Sequence, residues 1–509
     1  MENQIWIKKG DILENIFVEK LIFWGKWLAT LKHPNPDYDW RKIIINWWVV
    51  PESIVNLKVL KKKKAFLETQ VVEVIKKSPF EEENKENKYW MCWGCKWVNI
   101  KYEKQLEIKE NQVKEALRNL FKSPPSPPLK GGMESLFLPI EPSPTINWYR
   151  NKVEFSYWKY ILKKENIEQH FNVWFHKQWE FSKIQDVDWC ILIDEIQNEI
   201  FREIKSFSKT LGLPVYDQFN QKWFFRHILI RRTHFADEIM ILLSFNPNYF
   251  DDKPNLNKQE KLNLIKDFLI SLTKKYPQIK SIYFSYNVNK ADTAIWDLEL
   301  IYWEKTIKEN LMWLSFNISP TSFFQTNSTW ANRLYELVLD FAKPHPNPPL
   351  LQEREQKKDF QNMIVLDLYW WTGTIGMIFA NAGAKKVISV EMVASASKDW
   401  ETNAKLNWLN NIEFENAKVE DFLKKYLKDW KKANLLIIDP ARAWMHPDAL
   451  PNILKFNTNQ IIYVSCNPST LSRDLEYILQ NSDYKIEKIK AMDMFPHTHH
   501  IETIVSLVK

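Results

Sequence analysis

Glycine is what this chain lacks: 9 residues among 509, where ordinary usage is about 7%. Many turns need positive φ, and only a residue without a Cβ enters that region freely, so a shortage of glycine conflicts with the number of turns in a chain this long. Cysteine is also scarce, four in all, which excludes a disulfide scaffold and suits a reducing compartment. No apolar run approaches the roughly 20 residues of a membrane span. The start, MENQIWIKKGDILE, is no signal peptide. The expectation is a soluble cytoplasmic protein with no membrane partner.

Tryptophan stands in excess, with 25 residues. Added to the glycines, it restores close to the ordinary glycine share. Most of these tryptophans therefore read as positions that carry glycine in the living protein. Some bacterial lineages decode UGA as glycine, and translation of UGA as tryptophan would yield this sequence. Lys and Arg number 70 against 63 Asp and Glu, a net charge of +7. That balance suits a polyanionic partner without demanding one.

Three proline-rich pieces interrupt the pattern, at 33–36, 124–132 and 344–356, and read as extended surface insertions. Residues 1–78 alternate as a small antiparallel barrel does, and residues 79–315 mix strands and helices. The segment 316–509 holds strands MIVLDLY, KVISVE, NLLIID and QIIYVSC, which alternate with helical stretches from about 358 onward. That alternation predicts an α/β fold with a doubly wound, mostly parallel sheet.

In such a sheet ligands sit at the carboxyl ends of the strands, near the reversal of strand order. VLDLYWWTGTIG, residues 365–376, is a strand, a turn and a helix start, with Gly373 and Gly376 present and Trp370 and Trp371 at the tightest point. Glu391 ends the next strand, 20 positions after Trp371, where a carboxylate accepts hydrogen bonds from ribose hydroxyls. The spacing leaves NAD and S-adenosylmethionine both open. Asp439 ends a further strand in LLIIDPAR, and Cys466 ends another in IIYVSCNPSTLSRDL. A cysteine just past a buried strand can serve as a thiolate nucleophile or simply fill a strand end. Glu502 lies between apolar strand residues, where a carboxylate is costly unless used or paired. His497, His499 and His500 lack a carboxylate or Cys at ligand spacing and read as non-metal.

SPTSFFQTN (319–327), DLYWWTGTIG, DPARAWMHP (439–447), YVSCNPSTLSRDL and MFPHTHHIE, taken in this order, resemble the TRAM-domain-containing RNA uracil-5-methyltransferases. These act on 23S ribosomal RNA, with a close branch acting on tRNA. The resemblance spans nearly the whole chain. Trp24, Trp27, Trp93, Trp158, Trp174, Trp179, Trp371 and Trp444 fall where that family carries glycine; a real tryptophan pair at 370–371 would crowd the cofactor.

The resemblance implies a Rossmann-like S-adenosylmethionine-dependent domain at 316–509, a central α+β domain at 79–315 with its proline-rich insertion near 123–132, and an N-terminal TRAM barrel at 1–78. It makes Cys466 the nucleophile and Glu502 the base. Gln325, Tyr369, Thr374, Glu391 and Asp439 become the cofactor contacts. It also implies a 4Fe–4S cluster on Cys92, Cys95 and Cys190, although Glu86 stands where the family's first cysteine would be. KVLKKKKAF (58–66) then reads as a phosphate-binding stripe, with Arg226, Arg231 and Arg232 extending the RNA surface. The expected partner is RNA, with 23S rRNA favoured over tRNA because the tRNA branch generally lacks TRAM, and the expected state is a monomer. Two other readings stand beside it. One is a non-catalytic RNA-binding or assembly protein, should Trp370, Trp371 and Trp444 be real. The other is an amino-group methyltransferase, which would need no cysteine nucleophile.

Overall fold

The computed structural model describes residues 7–22, 26–30, 42–46, 49–82, 92, 94–121, 132–162, 167–177, 180–184, 186–251, 253, 255–289, 293–342, 360–369, 373–392, 394–428, 432–440, 445 and 449–509. Glu86, Trp24, Trp93, Trp179, Trp370, Trp371, Trp444 and the proline-rich pieces 33–36, 124–131 and 344–356 lie outside these residues. The chain divides into two compact units. One comprises Met1–Glu115, His176–Phe181 and Phe495–His500; the other comprises Ala116–Phe175, Ser182–Met494 and Ile501–Lys509.

In the first unit, β1 (Ile12–Phe17), β2 (Lys20–Ile22), β3 (Lys26–Thr30), β4 (Lys42–Ile45), β5 (Ile54–Lys62) and β6 (Phe66–Lys76) form one sheet. Its order is β1-β5-β6-β4-β3-β2. Every neighbouring pair is antiparallel except β4 with β6. Val55, Leu57 and Val59 are buried while Lys58 between them is exposed, the two-residue period of a half-buried strand. Lys61 and Lys63 at the β5–β6 tip reach the Glu68 carboxylate at 3.9 and 3.2 Å. The returning segment Phe495–His500 joins this unit: the His497 N–H donates to Gln105 Oε1 at 2.8 Å, and the Trp97 N–H donates to the His497 carbonyl at 2.9 Å. Burial, helped by Lys109, pushes the His497 imidazole down to about 4.

The second unit adds β7 (Phe137–Glu141), β8 (Lys152–Leu162), β9 (Ile167–Trp174), β12 (Phe225–Arg232), β13 (Ile239–Phe245), β14 (Ile279–Tyr286) and β15 (Asp297–Trp303), while β10 (His176–Lys177) falls in the first unit and β11 (Glu180–Ile184) at the division between the two. A six-stranded sheet runs β15-β14-β13-β12-β8-β9. Trp158 and Trp174 are packed into it, 3% and 1% exposed. The Trp174 indole N–H finds no acceptor among the described residues; such a group usually has one when buried. After the hairpin β16 (Ile307–Leu311) and β17 (Leu314–Ile318) come β18 (Ile364–Leu368), β19 (Lys386–Glu391), β20 (Ile412–Asn416), β21 (Leu435–Ile438), β22 (Gln460–Ser465), β23 (Lys485–Met492) and β24 (Glu502–Val508).

These last seven strands and β7 make an eight-stranded sheet, β20-β19-β18-β21-β22-β24-β23-β7. The five strands from β20 to β22 are parallel, and β24 is antiparallel to both its neighbours. This is the mostly parallel α/β sheet the apolar runs predict. Val365, Leu366 and Leu368 of β18 and all of β21 are essentially inaccessible, because helices cover both faces of a parallel sheet. The order turns back at β18, which sits between β19 and β21, and so sets the ligand crevice at the carboxyl ends of β18 and β21.

Candidate functional site

Tyr369 follows β18 with φ 63°, and Gly373 takes φ 63° as the N-cap of the helix Thr374–Asn381. Two left-handed residues therefore bracket the turn. Gly376, in the first turn of this helix, is fixed by sterics. A Cβ there would stand 2.3 Å from Ser389 Oγ and 2.8 Å from Asp367 Oδ2. The missing side chain lets the helix settle on Asp367, whose carboxylate accepts from the Gly376 N–H and from Ser389 Oγ at 3.4 Å. Asp367 is wholly buried. Burial above all, with the charge of Asp439 behind it, pushes its carboxyl well above the usual range.

Asp439 stands one residue past β21, and its N–H donates to the Leu368 carbonyl at 3.2 Å. Burial pushes its carboxyl up to about 7. Glu391 is the last residue of β19 and partly exposed. Its carbonyl accepts from Ala417 N–H at 3.0 Å and Asn416 Nδ2 at 3.1 Å, which pins the strand end. Thr374 is buried at the helix start.

Gln325 sits in the loop 319–327, which is tied down at several points. Asn151 donates from Nδ2 to the Gln325 carbonyl at 2.9 Å and from its backbone to the Thr326 carbonyl at 2.7 Å. Arg231 donates to the carbonyls of Ser319 and Ser322 at 3.2 and 3.0 Å. The hydroxyls of those two serines donate to Asp399 Oδ2 at 2.7 and 2.5 Å.

This corrects the surface reading of the RHILIRR arginines. Arg226 and Arg231 are 1% and 2% exposed. Arg226 lies over the Tyr216 ring at 3.7 Å, and Arg232 pairs with Asp194 and Asp237 at 2.8 and 2.7 Å. Strand β12 is buried on both faces through Arg231, so Arg226 and Arg231 serve the interior, while Arg232 is half-buried in its ion pairs.

At the other side of the sheet's mouth, β22 ends at Ser465 and Cys466 follows, partly exposed. Asn467 then caps the helix Pro468–Gln480, accepting from Ser469 and Thr470 N–H at 3.0 and 3.4 Å, with Pro468 where no N–H is needed. Cap and proline together turn the chain sharply and leave Cys466 at the lip. Ser465 is opposite Thr503 in the β22–β24 ladder. Cys466 follows Ser465 just past the strand, and Glu502, which pairs with Met492 of β23, precedes Thr503, so the two residues stand next beyond the last pair of the ladder. Glu502 is 7% exposed.

The sheet thus gathers Tyr369, Glu391, Asp439, Cys466 and Glu502 along one edge. Tyr369 Oη and Asp367 Oδ1 are buried without hydrogen-bond partners among the described residues. These orphaned groups fit a polar cofactor in the crevice. Asp367 was missed from sequence, although a lone carboxylate inside the apolar run VLDL is a signal for it. Tyr463, whose hydroxyl donates to buried Asp474 at 2.8 Å, was missed as well; nothing in its apolar strand marks it.

Among the described residues no group of three or more His, Cys, Asp or Glu could hold a metal ion. Burial pushes the Cys190 thiol up.

The family model described as tRNA (Uracil-5-)-methyltransferase matches residues 142–509. The chain belongs to this family. It is 32% identical over 500 residues to an uncharacterized RNA methyltransferase of Fusobacterium nucleatum, covering 98% of this chain and 96% of that one. An uncharacterized RNA methyltransferase of Clostridium tetani is 35% identical over 460 residues, covering 90% and 91%. Among solved structures, the Pyrococcus abyssi tRNA (uracil-54, C5)-methyltransferase in complex with S-adenosyl-L-homocysteine superposes with a TM-score of 0.69 at 24% identity, over 97% of this chain and 100% of that one. This RNA uracil-5-methyltransferase family member is an RNA methyltransferase. Among the described residues no helix is long and apolar enough to cross a membrane.

Proposed function

We propose that this methyltransferase adds a methyl group to C5 of a uridine in RNA, with Cys466 as nucleophile and Glu502 as base. The observation that carries the reading is the β22–β24 register, which pairs Ser465, the residue before Cys466, with Thr503, the residue after Glu502, at the edge of the sheet that holds the cofactor crevice. Bound in that crevice, S-adenosylmethionine supplies the methyl group as a sulfonium electrophile. Gln325, Tyr369, Thr374, Glu391 and Asp439 are the residues proposed to hold it.

The uracil C5–C6 double bond is conjugated with the C4 carbonyl, so C5 alone is weakly nucleophilic. The Cys466 thiolate adds to C6, forming a C–S bond and pushing the electron pair into an enolate, which makes C5 carbanion-like. Once C5 carries the methyl group, Glu502 removes its remaining proton. The electrons restore the double bond and expel the thiolate. The target base must leave its stack to reach the thiol. The chemistry uses a thiol, a carboxylate and a sulfonium, and no step passes through an iron–sulfur cluster.

RNA carrying 5-fluorouridine tests this directly, because fluorine cannot leave as a proton and the adduct persists. A band of shifted mobility is expected with the parent chain and none with Cys466→Ala. Glu502→Gln should accumulate methylated RNA still bonded to the protein. Methylation by the Cys466→Ala variant would overturn the mechanism.

The substrate we put forward is 23S rRNA, because the N-terminal sheet resembles a TRAM module and its lysine-rich tip suits phosphates. The second reading is tRNA, favoured by the description of the matching family model and by a tRNA enzyme that shares the fold over the whole chain. Nucleoside mass spectrometry on unmodified 23S rRNA and tRNA transcripts, each incubated with the monomeric cytoplasmic enzyme proposed here, separates them.

A further inference from the structure

Away from the sheet's mouth, the second unit holds a cavity of about 690 Å³ whose lining includes Lys159, Lys209, Lys222, Asp217, Phe171 and Tyr249. The lysines come from different places: β8, the last turn of the helix Glu195–Thr210, and the turn after Asp217. Asp217 is the only carboxylate lining it among the described residues, and that carboxylate is already engaged. It accepts from the N–H groups of Phe219 and Asn220 at 2.9 and 3.2 Å and from Asn220 Nδ2 at 2.9 Å, and it pairs with Lys159 at 3.4 Å.

Lys209 and Lys222 are both exposed and lack carboxylate partners among the described residues. The same turn presents Phe219 with 57% of its surface exposed. A helix C-terminus accounts for one lysine. It does not account for two unpaired cations from separate elements beside Tyr249 and an exposed phenylalanine. Cations with accessible aromatic faces are what unpaired nucleic acid asks for: charge for the phosphates and a flat face for a base.

We propose that this cavity is a second RNA-contact site, holding an unpaired stretch of the substrate by its phosphates at Lys209 and Lys222 and by a base stacked on the adjoining aromatics. The proposal rests on the reading of the chain as an enzyme acting on RNA uridine. It adds a grip outside the reaction centre, so binding there changes affinity and leaves the chemical step alone.

The test is filter binding of poly(U) to the full-length chain and to the K209Q/K222Q double variant across a salt series. Losing two single-strand phosphate contacts makes the slope of log K against log salt shallower by about 1.4, with kcat at saturating RNA unchanged. Phe219→Ala is expected to weaken binding roughly tenfold with the slope kept, since stacking carries no counterion. Equal affinity and equal slope for the double variant and the parent chain would overturn the proposal. Failure of the parent chain to methylate uridine would defeat the underlying reading instead, and the poly(U) slopes would still decide the cavity.

Discussion

Trp408 tests the tryptophan-for-glycine reading, because the structure gives it a place that excess composition cannot explain. It follows the helix Ala394–Leu406 with φ 59°. The Trp408 N–H donates to the Lys405 carbonyl at 3.1 Å, and the Leu409 N–H reaches back to the Ala404 carbonyl at 3.0 Å. That pair of bonds is the Schellman ending, whose left-handed position is normally glycine. The side chain is 87% exposed, so replacing it forfeits almost no packing. Holding a residue with a Cβ in the left-handed region costs about 1–2 kcal/mol, and glycine returns about 0.5–1 kcal/mol of that through the entropy of the unfolded chain. Trp408→Gly is therefore expected to stabilise the chain by roughly 0.5–1 kcal/mol, read as a raised urea midpoint with an unchanged m value. Trp400, 3% exposed within the same helix, provides the opposite case. Trp400→Gly leaves a cavity and a helix-interior glycine, at about 4 kcal/mol or more. A lowered midpoint for Trp408→Gly would refute the reasoning, as would native peptides that carry tryptophan at position 408.

Three further outcomes are expected. Burial raises the Asp439 carboxyl from its ordinary 3.8 to about 7, so between those values the native chain keeps a proton that the unfolded chain has released. Stability therefore falls as pH rises from about 4 to 7, and Asp439→Asn flattens that fall when urea midpoints are followed against pH. Gly376→Ala forces a methyl to 2.3 Å from Ser389 Oγ and 2.8 Å from Asp367 Oδ2; it should cost about 1–3 kcal/mol and abolish S-adenosylmethionine binding by calorimetry. Arg231→Met leaves the Ser319 and Ser322 carbonyls unpaired at about 1–3 kcal/mol each. The loosened loop that carries Gln325 should raise KM for S-adenosylmethionine more than it lowers kcat, with Arg231→Lys restoring only part, since one ammonium lacks the fork that spans two carbonyls.

The parallel sheet was legible because strands buried on both faces must be apolar throughout. Val365, Leu366 and Leu368, then Leu435–Ile438 and Ile461–Val464, meet that demand. The same rule explains what misled. In β12 the seven residues Phe225–Arg231 are all buried, yet the basic sequence RHILIRR looks like a surface. A buried arginine is recognised only through the carbonyls it serves, and those of Ser319 and Ser322 lie some 90 residues along the chain. Trp408 and Trp313 show a related limit: composition raised the glycine question, and only the left-handed backbone at φ 59° and 62° localises it.

Glu502 marks where reading by segments stops. A carboxylate in an apolar strand signalled use or pairing, but its partner follows from topology. Parallel strands deliver only their carboxyl ends to the mouth of a sheet, which is how Tyr369, Glu391, Asp439 and Cys466 come together there. A residue at the start of a strand reaches that edge only if its strand runs the other way. The final strand does so, inserted antiparallel between β22 and β23. No local periodicity encodes that insertion. It is set by the ladder from Gln460–Val508 to Ser465–Thr503, in which a slip of one residue would turn every side chain of β24 to the opposite face. The ladder that sets this register therefore also sets where the proposed base stands relative to the proposed nucleophile. Core substitutions along β24, far from any substrate, should change proton abstraction before they change cofactor binding. Glu502-dependent release of the 5-fluorouridine-free adduct, compared with S-adenosylmethionine affinity in an Ile504→Ala variant, measures that separation; equal loss of both would sink the argument.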